Sequence, residues 1–214
     1  QKYYADWGLA AIHSAQLAPG HREAFSPSLT LGWRLKRESF LKTVDAIDDM
    51  MLSFSGSIIN EDIDLARGDV RYYLYKGIWT SDDGYNWYDG SQDKYTYSKR
   101  GENEDLGFIK RKELSLSFKT SLWKHFVTLD ANFFINSMEG YLIDSPTFFP
   151  SHLNTSYPQG SFMPVLNYNN DRRVGFDFAL NFNRKFGETD LSLGLTGTYY
   201  DTKATKVDEN NVET

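Results

Sequence analysis

RRVGFDFALNFNRKFGETDLSLGLTGTYY, residues 172–200, is the stretch on which the fold turns. Val174, Phe176, Phe178, Leu180 and Phe182 are apolar, and Gly175, Asp177, Ala179 and Asn181 stand between them. After a short polar break the pattern resumes, with Leu191, Leu193, Leu195 and Tyr199 against Ser192, Gly194, Thr196 and Thr198. A period of two sends successive side chains to opposite faces, so the stretch predicts a two-sided β-hairpin. Alternation alone does not say whether protein or lipid covers the apolar side.

The same pattern recurs upstream. Strands are predicted at 3–13 (Trp7, Leu9 and Ala11 against Asp6, Gly8 and Ala10) and at 24–35 (Phe25, Pro27, Leu29, Leu31, Trp33 and Leu35). Others are predicted at 49–59 (Leu52, Phe54, Gly56, Ile58), 110–121 (Leu114, Leu116, Phe118) and 125–138 (Val127, Leu129, Ala131, Phe133, Ile135). Together with the hairpin they make seven long strands. They run about 10–12 residues, whereas globular strands average about 5–6 and a tilted membrane-crossing strand needs about 9–11. The connections alternate in length. Compact ones fall at 36–48, Leu122–Lys124 and Phe186–Thr189; a moderate one falls at 14–23, and long ones fall at 60–109 and 139–172. Long loops on one rim and short turns on the other are the habit of outer-membrane barrels. The polar sides favour Ser, Thr, Gly and Asn over Lys and Glu, which suits a barrel lumen better than a solvated face.

Composition narrows the function classes. Aromatic residues make up 16% of the 214, which favours pleated, half-covered strands. The net charge of −6 gives no nucleic-acid footprint. The chain has no cysteine, so no disulfide or thiol chemistry. No apolar run is long enough for a membrane-crossing helix, a test to which barrel strands are blind. The residues thus predict an all-β fold. They leave open a transmembrane barrel, a soluble carbohydrate-binding β-sandwich, and a plug-free porin or adhesin.

Five segments carry a resemblance. AFSPSLTLGWRLKRESFLK (24–42) is similar to a hallmark segment of SusC/RagA-type TonB-dependent transporters, a strand of the form F-P-S-x-S-x-G-W-R followed by E-x-F-L. LAPGHR (17–22) resembles the F-x-x-G-x-R loop before it, and MLSFSGSIINEDI (51–63) the L-R-x-S-Y-G-x-x-G-N strand after it. KRKELSLSFKTSLWKHFVTLDANFFINSMEGYLI (110–143) and RRVGFDFALNF (172–182) resemble further barrel segments of the family in the same order. Ala24 and Ser26 depart from it, standing where aromatic residues are common. The resemblance implies an antiparallel transmembrane β-barrel segment in the outer membrane of a Gram-negative, Bacteroidota-like bacterium. Residues 1–214 would be part of one barrel domain that imports a nutrient, an oligosaccharide or a peptide. The implied partners are membrane lipid, a SusD-like surface lipoprotein, and the TonB complex through parts outside this chain. Seven strands is an odd number, so the segment is not expected to close a barrel by itself.

Catalytic signals are absent. His13, His21, His125 and His152 are scattered, and no serine sits in a G-x-S-x-G elbow. The acidic groups Glu61, Asp62, Asp64 and Asp82, Asp83, Asp89, Asp93 lack EF-hand spacing. A non-enzyme without cofactor or metal is therefore expected. The loop 60–109 crowds nine aromatic residues into 72–97: Tyr72, Tyr73, Tyr75, Trp79, Tyr85, Trp87, Tyr88, Tyr95 and Tyr97. YYLYKGIW (72–79) and DKYTYSK (93–99) are predicted to pair as an extra hairpin above the membrane. Its rings, Tyr73 to Tyr97, are the candidate contacts for substrate or partner, since ring faces stack and neighbouring polar groups orient. Packing of the loop's own core is the competing use of the same rings. FFPSHLNTSYPQGSFMP (148–164) reads as an Ω-like loop. Asp130, Asn132, Asp177 and Asn181 are the candidate lumen residues. Tyr3, Tyr4, Trp7, Trp33, Trp123, Tyr141, Phe186, Tyr199 and Tyr200, near strand ends, are the candidate interfacial rings.

Overall fold

Alternation at this length drives the seven long predicted strands into one sheet. A computed structural model describes residues 1–63, 73–143, 146–156 and 159–208, apart from the side chains of Ser156 and Gln159. Asp64, Tyr72 and the terminal NNVET lie outside the described residues. The strands are β1 (Tyr3–His13), β2 (Glu23–Arg34), β3 (Ile47–Glu61), β4 (Ile78–Asn86), β5 (Gln92–Arg100), β6 (Ile109–Leu122), β7 (Val127–Ile143), β8 (Asn154–Ser156), β9 (Gln159–Ser161), β10 (Leu166–Phe186) and β11 (Thr189–Lys206). Seven of them form one antiparallel sheet in the order β1-β2-β3-β6-β7-β10-β11; β4-β5 and β8-β9 are separate hairpins set into the two long connections. The seven-stranded sheet is an up-and-down meander, the topology of a barrel wall.

One end of the meander carries the short connections. Residues 35–46 hold a 3₁₀ turn and the short helix α1 (Ser39–Lys42). Gly187 joins β10 to β11 with φ 62° at the first central position of a two-residue turn, where a type II′ hairpin requires glycine. Trp123, Lys124 and His125 are all left-handed, with φ of 53°, 57° and 62°. That turn is held from outside: Trp123 N donates to Ala46 O at 2.9 Å and His125 N to Asp48 Oδ2 at 2.8 Å.

The long connections stand at the other end, and the described core lies there. Leu17, Ala18, Ile63, Leu74, Tyr75, Leu106, Phe108 and Val165 pack together, with Ile12, Ala24 and Leu142 at the strand ends against them. Asparagines fasten this cap. Asn167 Nδ2 donates to Gly107 O at 3.0 Å and Gly140 O at 2.9 Å, and its Oδ1 accepts from Gly107 N at 2.8 Å. Asn103 Nδ2 donates to Val165 O at 2.7 Å, and Asn60 Nδ2 to Phe25 O at 2.8 Å.

The sheet itself is a single layer. Its apolar face stays open: Phe54, Phe133, Phe176, Leu193 and Leu195 are all exposed. Phe118 is half-buried. Among the described residues no second sheet covers this face, as the sandwich expectation requires. Two expected boundaries shift. β7 and β10 extend well past their apolar stretches, so the expected loop 139–172 contracts to 144–165. The extra hairpin pairs 78–86 with 92–100 in place of 72–79 with 93–99, because Tyr73–Lys76 forms a turn.

Candidate functional site

Two faces and one hairpin carry the functional geometry. Opposed residues of an antiparallel pair share a face, so the registers sort every strand residue to one side. Tyr4, Gly32, Ser53, Ser117, Asn132, Asp177 and Thr198 form one polar row across the whole sheet. Asp130 opposes Ala179, and Asn181 opposes Thr128, on the same side. All four candidate lumen residues therefore share one face. Cross-strand hydrogen bonds tie it: Thr30 to Ser55 at 3.0 Å, Ser117 Oγ to Asn132 Oδ1 at 2.7 Å, and Asn132 Nδ2 to Asp177 Oδ2 at 3.4 Å. The face holds a groove of about 460 Å³ lined by hydroxyls and amides, with Glu113 and Asp177 as its carboxylates. Phe134 also lies on it, because Gly175 leaves room for the ring.

The apolar face is banded obliquely to the strands. The apolar stretch of β2 runs from Phe25 to Trp33 and is centred on Leu29. Following the register, Leu29 lies in a row with Gly56, Leu114, Ile135, Val174 and Asp201. The apolar centre on β3 is Phe54, two residues off that row; on β7 it is Ala131, four off; on β11 it is Leu195, six off. Six residues at about 3.3 Å make about 20 Å, gained over five strand spacings of about 4.8 Å, about 24 Å. The band therefore crosses the strands as a level slab would if they tilted by about 40°, within the range of barrel strands. On β10 the band is bracketed by Arg172 and Arg184, twelve residues apart; at that tilt they are about 30 Å apart along the slab normal.

Rings crowd the short-turn margin of the band. Tyr3 stacks on Trp33 with centroids 6.4 Å apart, and Glu38 accepts from Tyr3 Oη at 2.8 Å and Trp33 Nε1 at 3.1 Å. Lys2 Nζ completes the cluster at 3.2 Å. These bonds, that from Tyr3 foremost, hold the Glu38 carboxyl below its ordinary range. Trp123 and Phe186 are exposed at the two tight turns of the same margin.

The β4-β5 hairpin distributes its aromatic residues unevenly. Tyr85, Trp87 and Tyr88 are exposed at its tip. Trp87 Nε1 donates to Asp93, and Tyr85 meets Trp87 edge-on at 5.1 Å. Tyr95 and Tyr97 stack at 5.4 Å along one side; exposed Trp79 meets Phe162 at 5.9 Å on the other. Tyr73 is exposed above the cap, whereas Tyr75, only 4% exposed, packs inside it. Tyr75 is thus a core ring and does not stand free at the surface. Arg100 joins hairpin to cap, donating to Tyr73 O at 2.9 Å and to Lys76 O at 3.2 Å; burial lowers its pKa. Sequence reading put Phe162 in the Ω-like loop without its contact to Trp79, and it missed the asparagine clamps, since single residues in loops carry no periodic signal.

No protein-family model matches the chain, and no curated protein matches it. Solved structures do. The fold is similar to chains of the RagAB peptide importer in its closed-closed and open-open states, with TM-scores of 0.72 and 0.75, and to a RagAB peptide transporter structure at 0.72. In each case identity is 15% over 97% of this chain and 21% of the other. The chain thus spans about a fifth of the length of these neighbours, and the likeness is one of fold. The expected all-β, antiparallel, incomplete barrel segment is the architecture observed.

Proposed function

We propose that this chain is part of the wall of an outer-membrane β-barrel that imports a nutrient. The observation that carries the reading is the oblique apolar band. A lipid slab is level while barrel strands tilt through it, so its apolar contact must drift steadily along the register. Lipid covers the apolar face on this reading. The polar face, with Asp130, Asn132, Asp177 and Asn181, looks into the lumen. β1 and β11 continue to further strands of the same barrel. The collinear motifs and the RagA-like fold support the assignment.

The mechanism is gated uptake without bond chemistry or cofactor. Substrate binds at the outer mouth. A plug elsewhere in the protein, moved through the TonB complex, opens the path. A SusD-like surface lipoprotein closes over the long loops, in a Gram-negative outer membrane of the Bacteroidota kind. The substrate is an oligosaccharide or a peptide, met by Tyr73, Trp79, Tyr85, Trp87, Tyr88, Tyr95 and Tyr97, while Tyr75 anchors the hairpin that presents them. Stacked and edge-on rings offer flat faces to sugar rings or peptide side chains alike.

Uptake by cells tests the reading. The complete protein is produced with the tip 84–92 replaced by a Gly-Ser turn, and uptake of labelled oligosaccharides and peptides is measured. Unchanged surface level with loss of uptake of one class is expected. Equal uptake of both classes by cells with and without the intact protein contradicts importer function.

A further inference from the structure

The apolar face ends, towards the long loops, in a row of cations. Lys112 of β6, Arg172 of β10 and Lys203 of β11 share one row through Ser137. Lys110 stands two residues beyond Lys112 on the same face. That face is the apolar one, since Arg172 is two residues from Val174 and Lys112 two from Leu114. The adjacent Arg173 turns to the polar side, where it donates to Thr202 Oγ1 at 3.1 Å and lies over the Tyr200 ring.

Two carboxylates stand among these four cations, Glu139 directly across from Lys110 and Asp201 beside Lys203. Glu139 pairs with Lys112 at 2.7 Å, and Asp201 lies 3.9 Å from Lys203. Among the described residues neither Lys110 nor Arg172 has an ion-pair partner, and both are exposed. The opposite margin is built differently. Its Arg184 lies over the rings of Phe126 and Phe186, in line with the aromatic cluster there. On β6, β10 and β11 the loop-side margin thus carries a cationic row, whereas Arg184 at the turn side of β10 lies against rings.

We propose that Lys110, Lys112, Arg172 and Lys203 bind the anionic phosphate headgroups of lipids in the leaflet on the long-loop side, those whose phosphate carries no compensating cation. The inference rests on the barrel reading. Lysine stems lie along an apolar wall and lift their ammonium groups to headgroup level. The Arg172 guanidinium presents a planar fork that matches two phosphate oxygens. Each cation at such a surface strengthens attraction to anionic lipid about fivefold.

The complete protein containing this segment, inserted into phosphatidylcholine vesicles, tests it. Spin-labelled phosphatidylglycerol and spin-labelled phosphatidylcholine compete for the motionally restricted shell, at fixed ionic strength. Preference for phosphatidylglycerol is expected. Replacing Lys110 and Arg172, the two cations without an ion-pair partner, together by Gln should lower that preference about twenty-five-fold, and Arg172→Gln alone about fivefold. Arg173→Gln, at the same depth but on the polar face, should leave it unchanged. Inorganic phosphate should compete no better than chloride; displacement by it would overturn the assignment to lipid. Insertion with no preference, or a preference untouched by the substitutions, overturns the headgroup site and leaves the barrel standing. Failure of the unsubstituted protein to insert overturns both.

Discussion

Leu29 of β2 and Asp201 of β11 lie in one row of the sheet, yet Leu29 is the middle of its strand's apolar stretch and Asp201 is six residues beyond the middle of its own. Register and hydrophobicity disagree by a steadily growing amount. A flat slab of lipid crossing strands tilted by about 40° would produce that disagreement.

Charge on the two faces should therefore have opposite consequences. Leu195→Arg puts a cation at the apolar centre of β11 and should cost about 2–4 kcal/mol. Thr196→Arg, one residue on, faces the other way and should stay within about 0.5 kcal/mol. Denaturant titration of the complete protein folded into bilayers measures both.

The cap depends on Asn167. Its three hydrogen bonds join the loop at Gly107 to the β7 bend at Gly140. Asn167→Ala leaves part-buried backbone groups unpaired and should cost about 1–3 kcal/mol locally. Hydrogen exchange should quicken at residues 104–108, while the amides of β6 at Leu114–Phe118 keep their protection.

The left-handed run Trp123–His125 stores strain that glycine removes. Lys124 is exposed and has φ 57°. Lys124→Gly should stabilise the turn by about 1 kcal/mol, raising the denaturant midpoint.

Glu38 makes the short-turn margin sensitive to acid. Its folded pKa is depressed from 4.5 by the bonds from Tyr3, Trp33 and Lys2. A depressed pKa contributes stability above the unfolded value, and that contribution is lost as pH falls through the folded one. The fluorescence anisotropy of Trp33, read as the difference from a Trp33→Phe variant, should hold steady down to pH 4.5 and fall below it. Glu38→Gln should remove the step.

Much of the wall was legible in the sequence. Alternation over 174–182 and 191–199 sorts the faces correctly because period two is a local property. Strand ends past the band were not legible: SMEGYLI and LNYNNDRR carry the polar residues of a loop, yet pair as strands above the apolar zone. The first strand of the β4-β5 hairpin was misplaced because aromatic density at 72–79 mimics strand composition, while IWTSDDGYN, with two Asp, a Gly and an Asn, pairs through its backbone. Tyr75 could not be told from Tyr73 without knowing that Leu17, Leu106 and Val165 converge on it from distant loops. The oblique band is invisible in any one strand, since register belongs to pairs.

Depth measurement tests the central claim most directly. The chain has no cysteine, so a nitroxide can be placed singly at Leu29, Leu195 or Asp201 through an introduced thiol in the complete, bilayer-inserted protein. Collision with dissolved oxygen against a polar nickel chelate reports depth. Leu29 and Leu195 should both lie near the bilayer centre, with Asp201 about 15 Å nearer the headgroups. Equal depths at Leu29 and Asp201, or oxygen-shielded labels at Leu29 and Leu195, would contradict a tilted, lipid-facing wall.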